Sequence, residues 1–107
     1  MQRFVVLLLI IISLYGYTIA DDTVREGQQV TLTDNCYGTV VPETLDKLVE
    51  YTRNDNFDMF STFFKFGYAI FLDKGMTATV LKIQQDKVLI ELPNHTRFWV
   101  FGHYLKE

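Results

Sequence analysis

Apolar residues are concentrated near the start of the chain, at residues 4–14, with Arg3 just before them. Small and weakly polar residues follow, ending at Ala20. A short positive start, an apolar segment of about 7–15 residues and small residues before the cut are typical of a cleavable secretory signal. We expect residues 1–20 to be removed and the mature chain to begin at Asp21. The alternative is an uncleaved membrane anchor, for which the apolar stretch barely reaches the minimum of about 17 residues.

After a polar segment, the pattern predicts one strand and then one helix. Residues 30–33 alternate between apolar and polar, as a strand does, and the turn-forming residues Asp34, Asn35 and Gly38 follow. Pro42 suits the first position of a helix, because its missing N–H is not needed there. Four residues with helical spacing then define one face that we expect to be buried: Leu45, Leu48, Val49 and Thr52.

A second helix is predicted to begin near Asp55, which is a suitable N-cap, and to end at Gly67. It carries four phenylalanines within eight residues, at positions 57, 60, 63 and 64. A phenylalanine buries a large apolar area, and helices with such a stripe usually pack it into the core. We therefore expect this aromatic face to belong to the core.

From residue 68 onward the period changes from helical to extended. Segments 68–72, 78–83, 88–92 and 97–100 are strand candidates, and turn residues separate them. Short strands at this spacing are typical of a small antiparallel barrel or sandwich. With no repeat or linker in the sequence, we expect residues 21–107 to form one domain that contains a helical insertion at residues 42–66.

The C-terminal part of the chain resembles the SH3-like barrels, and specifically those of bacterial extracytoplasmic proteins. Residues 75–81, GMTATVL, are similar to the strand pattern G-x-x-V-x-V-L of that family, and residues 99–105, WVFGHYL, are similar to its closing segment. The resemblance covers residues 67–105. It implies a small antiparallel SH3-like β-barrel. Together with the predicted helices, which depart from the family pattern, this gives an α+β fold in which two helices are inserted after the first strand, and the signal peptide precedes it.

Two departures from the family pattern bear on function. Phe101 stands where the closing motif has a proline, and the acidic segment of the family is missing. The aromatic groove that binds proline-rich peptides in the family is therefore not implied for this chain. Tyr104 matches the groove tyrosine of the motif and is the one position that the resemblance carries over, although a structural role as an end-cap is an alternative.

Charge narrows the range of partners. The chain has 10 basic and 13 acidic residues, and removal of Arg3 with the signal would leave 9 basic residues and a net charge of −4. Proteins that bind nucleic acids neutralise phosphates with lysine and arginine, so a nucleic-acid partner is not expected. An anionic membrane surface is disfavoured for the same reason, and membrane association is expected only if the N-terminal segment is retained.

The sequence contains one cysteine, Cys36, which cannot form an internal disulfide. It is a buried apolar residue, a free thiol or half of an intermolecular bridge, and neighbouring Asp34 would disfavour its thiolate. Neither His95 nor His103 lies at a spacing that marks a catalytic pair or a metal site with it. No catalytic motif, cofactor or metal ion is predicted. Residues 94–96 form an Asn-x-Thr triplet, which is a glycan acceptor in a eukaryotic secretory pathway.

We therefore expect a non-catalytic binding module, periplasmic or secreted, that docks on a protein or other component of the envelope. The alternatives are a small inhibitor or immunity protein that blocks an envelope enzyme or receptor, and a small thiol enzyme that uses Cys36. The expected contact residues are Trp99 and Tyr104, because tryptophan and tyrosine are frequent in binding hot spots. Alternation along the last strand places one of Phe98 and Trp99 inward, so Phe98 takes the surface role if Trp99 is buried.

Overall fold

A computed structural model describes residues 24–107, which form an α+β domain of two helices and seven antiparallel strands. The predicted signal peptide and its cleavage site at Ala20 and Asp21 lie outside these residues. The elements in chain order are β1 (Gln29–Leu32), β2 (Cys36–Thr39), α1 (Pro42–Arg53), α2 (Phe57–Lys65), β3 (Ala69–Leu72), β4 (Thr77–Gln84), β5 (Lys87–Glu91), β6 (Arg97–Phe101), a 3-10 turn (Gly102–Tyr104) and β7 (Leu105–Lys106).

All seven strands belong to one sheet, in the order β3-β2-β6-β5-β4-β1-β7. Within residues 24–107 the edge strands β3 and β7 do not pair with each other, so the expectation of a closed barrel is wrong. The reason is an additional strand: β2 pairs with β6 on one side and with β3 on the other. The resulting β2–β3 strand pair, whose strands are joined through both helices, extends the sheet beyond β6 and leaves it open.

Strand β2 occupies a segment that the sequence pattern assigned to a turn, and Gly38 explains the difference. Gly38 lies opposite Ile70 in β3, and its φ is not in the left-handed region that many turns require. A Cβ atom at this position would come within 2.9 Å of Phe98 Cβ and 3.0 Å of Leu72 Cδ1. The glycine is therefore required by close packing between strands.

The sheet carries the main core on one face, and part of its other face is covered by α1. One face carries the main core, to which the strands contribute alternate residues such as Val80, Ile90 and Val100, all fully buried. The other face of β2 and β6 packs against α1. Leu45 and Leu48 of α1 are fully buried, and Trp99, which points away from the core face of β6, is 8% exposed.

Helix α1 begins with Pro42 at its first turn, as the sequence predicts. Its buried residues are Thr44, Leu45 and Leu48, whereas the predicted Thr52 is exposed and its hydroxyl donates to the Leu48 carbonyl. A salt bridge of 3.0 Å between Lys87 Nζ and Asp46 Oδ2 joins α1 to β5, and these two side chains are 11% and 64% exposed. The helix is thus anchored mainly by its two buried leucines.

Helix α2 differs from expectation at its start and in its packing. Its N-cap is Asn56, whose side chain accepts from the Met59 N–H, whereas Asp55 lies just outside with a φ of 57°. None of its nine residues is fully buried. The expectation that the phenylalanines of this helix belong to the core is wrong: Phe57 is 56% exposed and the other three are half-buried.

No helix in residues 24–107 combines the length and the hydropathy needed to cross a membrane.

Candidate functional site

The phenylalanines of α2 pack against aromatic residues of the β2–β3 strand pair and form a cluster near the surface. Phe64 stacks on Phe71 of β3, with ring centroids 4.2 Å apart and an angle of 15° between the ring planes. Tyr37 of β2 meets Phe60 and Phe64 edge-on, at 5.9 and 6.0 Å. Edge-on and offset contacts at these distances are the favoured arrangements of aromatic pairs. We call these four residues, Tyr37, Phe60, Phe64 and Phe71, the aromatic cluster.

A second set of ring contacts involves Phe63, which follows Phe60 by three residues on the same face of α2. Phe63 lies 5.7 Å from Tyr51 of α1 and 6.0 Å from Tyr68, which precedes β3. The Asn56 N–H also donates to the Tyr51 carbonyl at 2.8 Å. Helix α2 is thus held between α1 and the β2–β3 strand pair by aromatic contacts at its surface.

The aromatic residues around α2 leave much of their area exposed. Phe57, Phe66, Tyr68 and Phe71 are 56, 65, 56 and 68% exposed. Single exposed apolar residues are ordinary on a protein surface, whereas contiguous apolar patches often occur at interaction sites. Tyrosine and phenylalanine also contribute large contact areas at a low entropic cost, because each has only two side-chain torsions.

Next to the aromatic cluster is an open groove with a volume of about 710 Å³. Its walls come from α1, α2, the β2–β3 strand pair and the 3-10 turn. Four aromatic side chains line it, together with one cation and one carboxylate: Tyr37, Phe60, Phe71, Tyr104, Arg53 and Asp73. A concave, largely apolar surface with a few polar groups is the usual form of a binding site.

The fold fixes Tyr104 at the end of this groove through its backbone. The Thr33 N–H and hydroxyl both donate to the Tyr104 carbonyl, at 2.8 and 3.2 Å. The imidazole of His103 packs on the Tyr104 ring at 4.2 Å. Tyr104 is half-buried and also packs against the core, so it serves both as a core contact and as part of the groove wall.

Of the three predicted contact residues, Tyr104, Trp99 and Phe98, only Tyr104 lies at the groove. Tyr104 lines the groove, but Trp99 is covered by the helical side of the sheet and is 8% exposed. Phe98 is half-buried against the core and does not take the surface role expected for it when Trp99 is inward. Both faces of β6 are covered, so alternation along this strand does not bring either ring to the surface.

Sequence reasoning did not select Tyr37 or Phe71 as contact residues. Phe71 lies between the partly buried Ile70 and the fully buried Leu72. In a short strand of apolar residues, the sequence alone does not show which side chains are covered and which are exposed. Tyr37 lies in the segment predicted as a turn. The period-two alternation of a strand would have assigned Tyr37 a face, had that strand been recognised.

Cys36 lies at the edge of the groove, and its thiol is poorly suited to nucleophilic chemistry. The residue is 8% exposed and free of any disulfide. Burial, and to a smaller degree the neighbouring carboxylate of Asp34, raise the pKa of the Cys36 thiol to about 11. Because the thiolate is the reactive form, this thiol is almost entirely unreactive at neutral pH.

The phenol of Tyr37 is also held in its neutral form. Burial first, and then the nearby Tyr104 and Cys36, raise the pKa of Tyr37. The Tyr37 phenol therefore keeps its O–H as a hydrogen-bond donor in the wall of the groove. Among its lining residues, Arg53 is the single cation. In residues 24–107 no carboxylate lies within salt-bridge distance of that guanidinium.

The two histidines lie in separate environments. His95 Nδ1 is 3.5 Å from Glu91 Oε2, which also lies 3.7 Å from Arg97 Nε, and the His95 side chain is 87% exposed. His103 is stacked between the rings of Phe101 and Tyr104. No group of three histidine, cysteine or acidic residues in the described part of the chain is arranged to hold a metal ion.

Asn94 and Thr96 of the Asn-x-Thr triplet are exposed in the turn between β5 and β6. The Asn94 Oδ1 atom accepts from the N–H and the hydroxyl of Thr96, at 3.1 and 2.6 Å. Both contacts stay within the turn, and they account for the polar side chains there without a ligand.

Comparison with protein-family models, curated proteins and solved structures finds no match to this chain.

Proposed function

We propose that this protein is a non-catalytic binding module that docks on a protein partner through the groove beside the aromatic cluster. The observation that carries the proposal is Phe71, whose ring is 68% exposed at the groove while it stacks at 4.2 Å on Phe64. An exposed ring that is already held in place loses little conformational freedom when a partner covers it. Such preorganised aromatic residues are typical hot spots of protein interfaces.

The chemistry of the groove supports a binding role rather than a catalytic one. The Cys36 thiol is protonated at neutral pH, because its pKa is raised to about 11. The phenol of Tyr37 is neutral as well, since its pKa is also raised. Arg53 and Asp73 can pair with charges of a partner, while the rings supply apolar contact area.

An SH3-like origin of the strands and an extracytoplasmic location remain parts of this proposal. The SH3-like origin is supported by the pairing of the strands that the resemblance identified: β1 lies between β4 and β7, and β5 and β6 follow β4. It is also supported by the place of Tyr104 in the groove wall. The extracytoplasmic location is supported by the signal-like pattern of residues 1–20.

The test is capture of the partner by crosslinking in the native envelope, compared between wild type and two variants. Phe71→Ala removes the exposed ring at the groove, and Phe57→Ala removes a ring of similar exposure that does not line it. We expect Phe71→Ala to lower the yield of the captured partner at least about tenfold, as loss of a hot-spot residue does, and Phe57→Ala to preserve it.

Thermal unfolding of both variants is the control for folding, since each ring is more than half exposed and neither change should unfold the domain. Equal capture by wild type and Phe71→Ala would refute the groove as the contact surface. Loss of capture with Phe57→Ala alone would move the contact to the first turn of α2.

A further inference from the structure

The two edges of the sheet differ in how they are protected. Strand β7, at one edge, has only two residues and ends with the exposed Lys106. Strand β3, at the other edge, has four residues, none of them charged or a proline, and its register with β2 is unbroken. Soluble proteins usually protect an open edge with a very short strand, a lysine, a proline or a bulge, because an unprotected edge pairs with other strands. Strand β3 has no lysine, proline or bulge.

The hydrogen-bond pattern shows which backbone groups of β3 face outward. The Val40 N–H donates to the Tyr68 carbonyl at 3.1 Å, in register with the β2–β3 ladder. Hydrogen-bonded and non-hydrogen-bonded pairs alternate along an antiparallel ladder. The third pair after Val40–Tyr68 is Tyr37–Phe71, which is therefore non-hydrogen-bonded, so the N–H and C=O of Phe71 point away from β2. Within residues 24–107, no backbone group outside the sheet bonds to either of them.

Phe71 is also the point at which this edge is accessible. It is 68% exposed, whereas Ala69 and Leu72 of the same strand are each 1% exposed. Tyr68 and Phe66, just before the strand, are 56 and 65% exposed. At these exposures the three rings offer about 300 Å² of contact area per copy, against about 800 Å² per partner in a standard interface. The edge is thus suited to a weak interface.

A second copy of the chain fits this edge because the edge is self-complementary. When a two-fold axis relates two antiparallel strands, the N–H of Phe71 in each copy faces the C=O of Phe71 in the other. Two hydrogen bonds then form at the one accessible position, without the buried Ala69. The two Phe71 side chains lie on the same face of the joined sheet as a cross-strand aromatic pair. The Phe64–Phe71 stack stays in place, because the second copy approaches in the plane of the sheet.

We propose that the protein forms a weak two-fold dimer by antiparallel pairing of its β3 strands, centred on Phe71. This inference goes beyond the proposed function, since the edge takes a second copy of the chain, whereas the groove takes a different protein. Because Phe71 also lines the groove, the dimer places two grooves beside the same two-fold axis. A partner with two binding segments can then occupy both grooves and gain from their proximity.

Analytical ultracentrifugation of the full chain as purified after expression tests the dimer, with a reductant present so that no Cys36 bridge forms. We expect a monomer at about 10 µM and a substantial fraction of dimer at about 1 mM, as for a weak interface. Residue-resolved hydrogen exchange at the two concentrations is the second readout. The Phe71 amide should exchange at least about threefold more slowly at the higher concentration, because only the dimer supplies an acceptor for it.

Phe71→Pro and Phe57→Ala are the variants to compare. Proline at position 71 removes the outward N–H and the ring but no hydrogen bond between β2 and β3, so an edge strand can accommodate it. Phe57→Ala removes a ring of similar exposure at the start of α2, outside β3. We expect Phe71→Pro to raise the dissociation constant of the dimer at least about tenfold and Phe57→Ala to leave it unchanged.

Thermal unfolding shows whether both variants are folded at the temperature of the measurement. If Phe71→Pro does not fold, the exchange of the Phe71 amide in the wild type decides the question. A wild-type chain that stays monomeric at about 1 mM, above the range of weak interfaces, would overturn the proposal. So would a dimer whose Phe71 amide exchanges as fast as that of the monomer, or one that a folded Phe71→Pro variant forms equally well. None of these measurements needs the partner protein, so the dimer and the groove proposal can fail separately.

Discussion

A methyl group added at Gly38 tests how closely the strands of this sheet pack. Gly38 is buried in β2, between β3 on one side and β6 on the other. An alanine Cβ atom there would come within 2.9 Å of Phe98 Cβ and within 3.0 Å of Leu72 Cδ1. Carbon atoms in favourable contact are about 3.5–4.0 Å apart, so both distances are repulsive.

The two neighbours differ in their freedom to move. Leu72 can adjust the torsions of its side chain, but the Cβ atom of Phe98 is fixed to the backbone of β6. Relief of that contact therefore requires β2 and β6 to separate by about 0.5–1 Å, the difference from an ordinary contact distance. Overpacking of this kind costs about 1–3 kcal/mol.

The sign of the effect is what makes the test decisive. Gly38 does not have a left-handed backbone conformation. In open space, replacement of such a glycine by alanine stabilises a protein by about 0.4–1 kcal/mol, because the unfolded chain loses conformational freedom. If the strands pack closely at Gly38, the Gly38→Ala variant is less stable than the wild type. If there were open space at this position, the variant would be more stable.

The assay is thermal unfolding of the wild type and Gly38→Ala, with Gly102→Ala as the matched control. At Gly102 the added Cβ would lie 3.3 Å from Val88 Cγ2, a contact that a small side-chain shift can relieve. For a domain of this size, 1 kcal/mol corresponds to a shift in Tm of about 4–8 °C. We expect Gly38→Ala to lower the Tm by about 5–20 °C and Gly102→Ala to lower it less. A Tm of Gly38→Ala at or above that of the wild type would refute the packing argument.

Three further predictions concern other parts of the chain. Leu48→Ala should lower the free energy of unfolding by about 2–5 kcal/mol in a denaturant titration, and Phe60→Ala should lower it by less, since Leu48 is fully buried and Phe60 only partly. The Cys36 thiol should react with a disulfide reagent at pH 8 only when the domain unfolds. Its pKa is raised from 9.0 to about 11 on folding, so its contribution to stability is complete below pH 9 and lost as the pH rises toward 11. Intact mass of the exported protein should correspond to a chain that begins at Asp21, and a mass that includes residues 1–20 would indicate a retained anchor.

The sequence by itself determined the features that depend on neighbouring residues along the chain. Pro42 indicated the start of α1, and the alternation of residues 30–33 indicated β1, which the structure places at Gln29–Leu32. The four strand candidates after residue 67 correspond to β3, β4, β5 and β6 with shifts of at most one residue at their ends. Hydrophobic period and helix termini are local properties, so a short window of sequence is enough to recognise them.

Only the tertiary structure decided what covers each element. A glycine such as Gly38 occurs both in turns and in tightly packed strands, and the neighbouring sequence does not distinguish the two. The atom that requires a glycine there is Phe98 Cβ, 60 residues away in the chain. The phenylalanines of α2 have the spacing of a core helix, yet α1 and its leucines occupy the sheet face beside Trp99 and leave α2 at the surface. Burial depends on which element reaches a face of the sheet, and a local pattern of apolar residues contains no information about that competition.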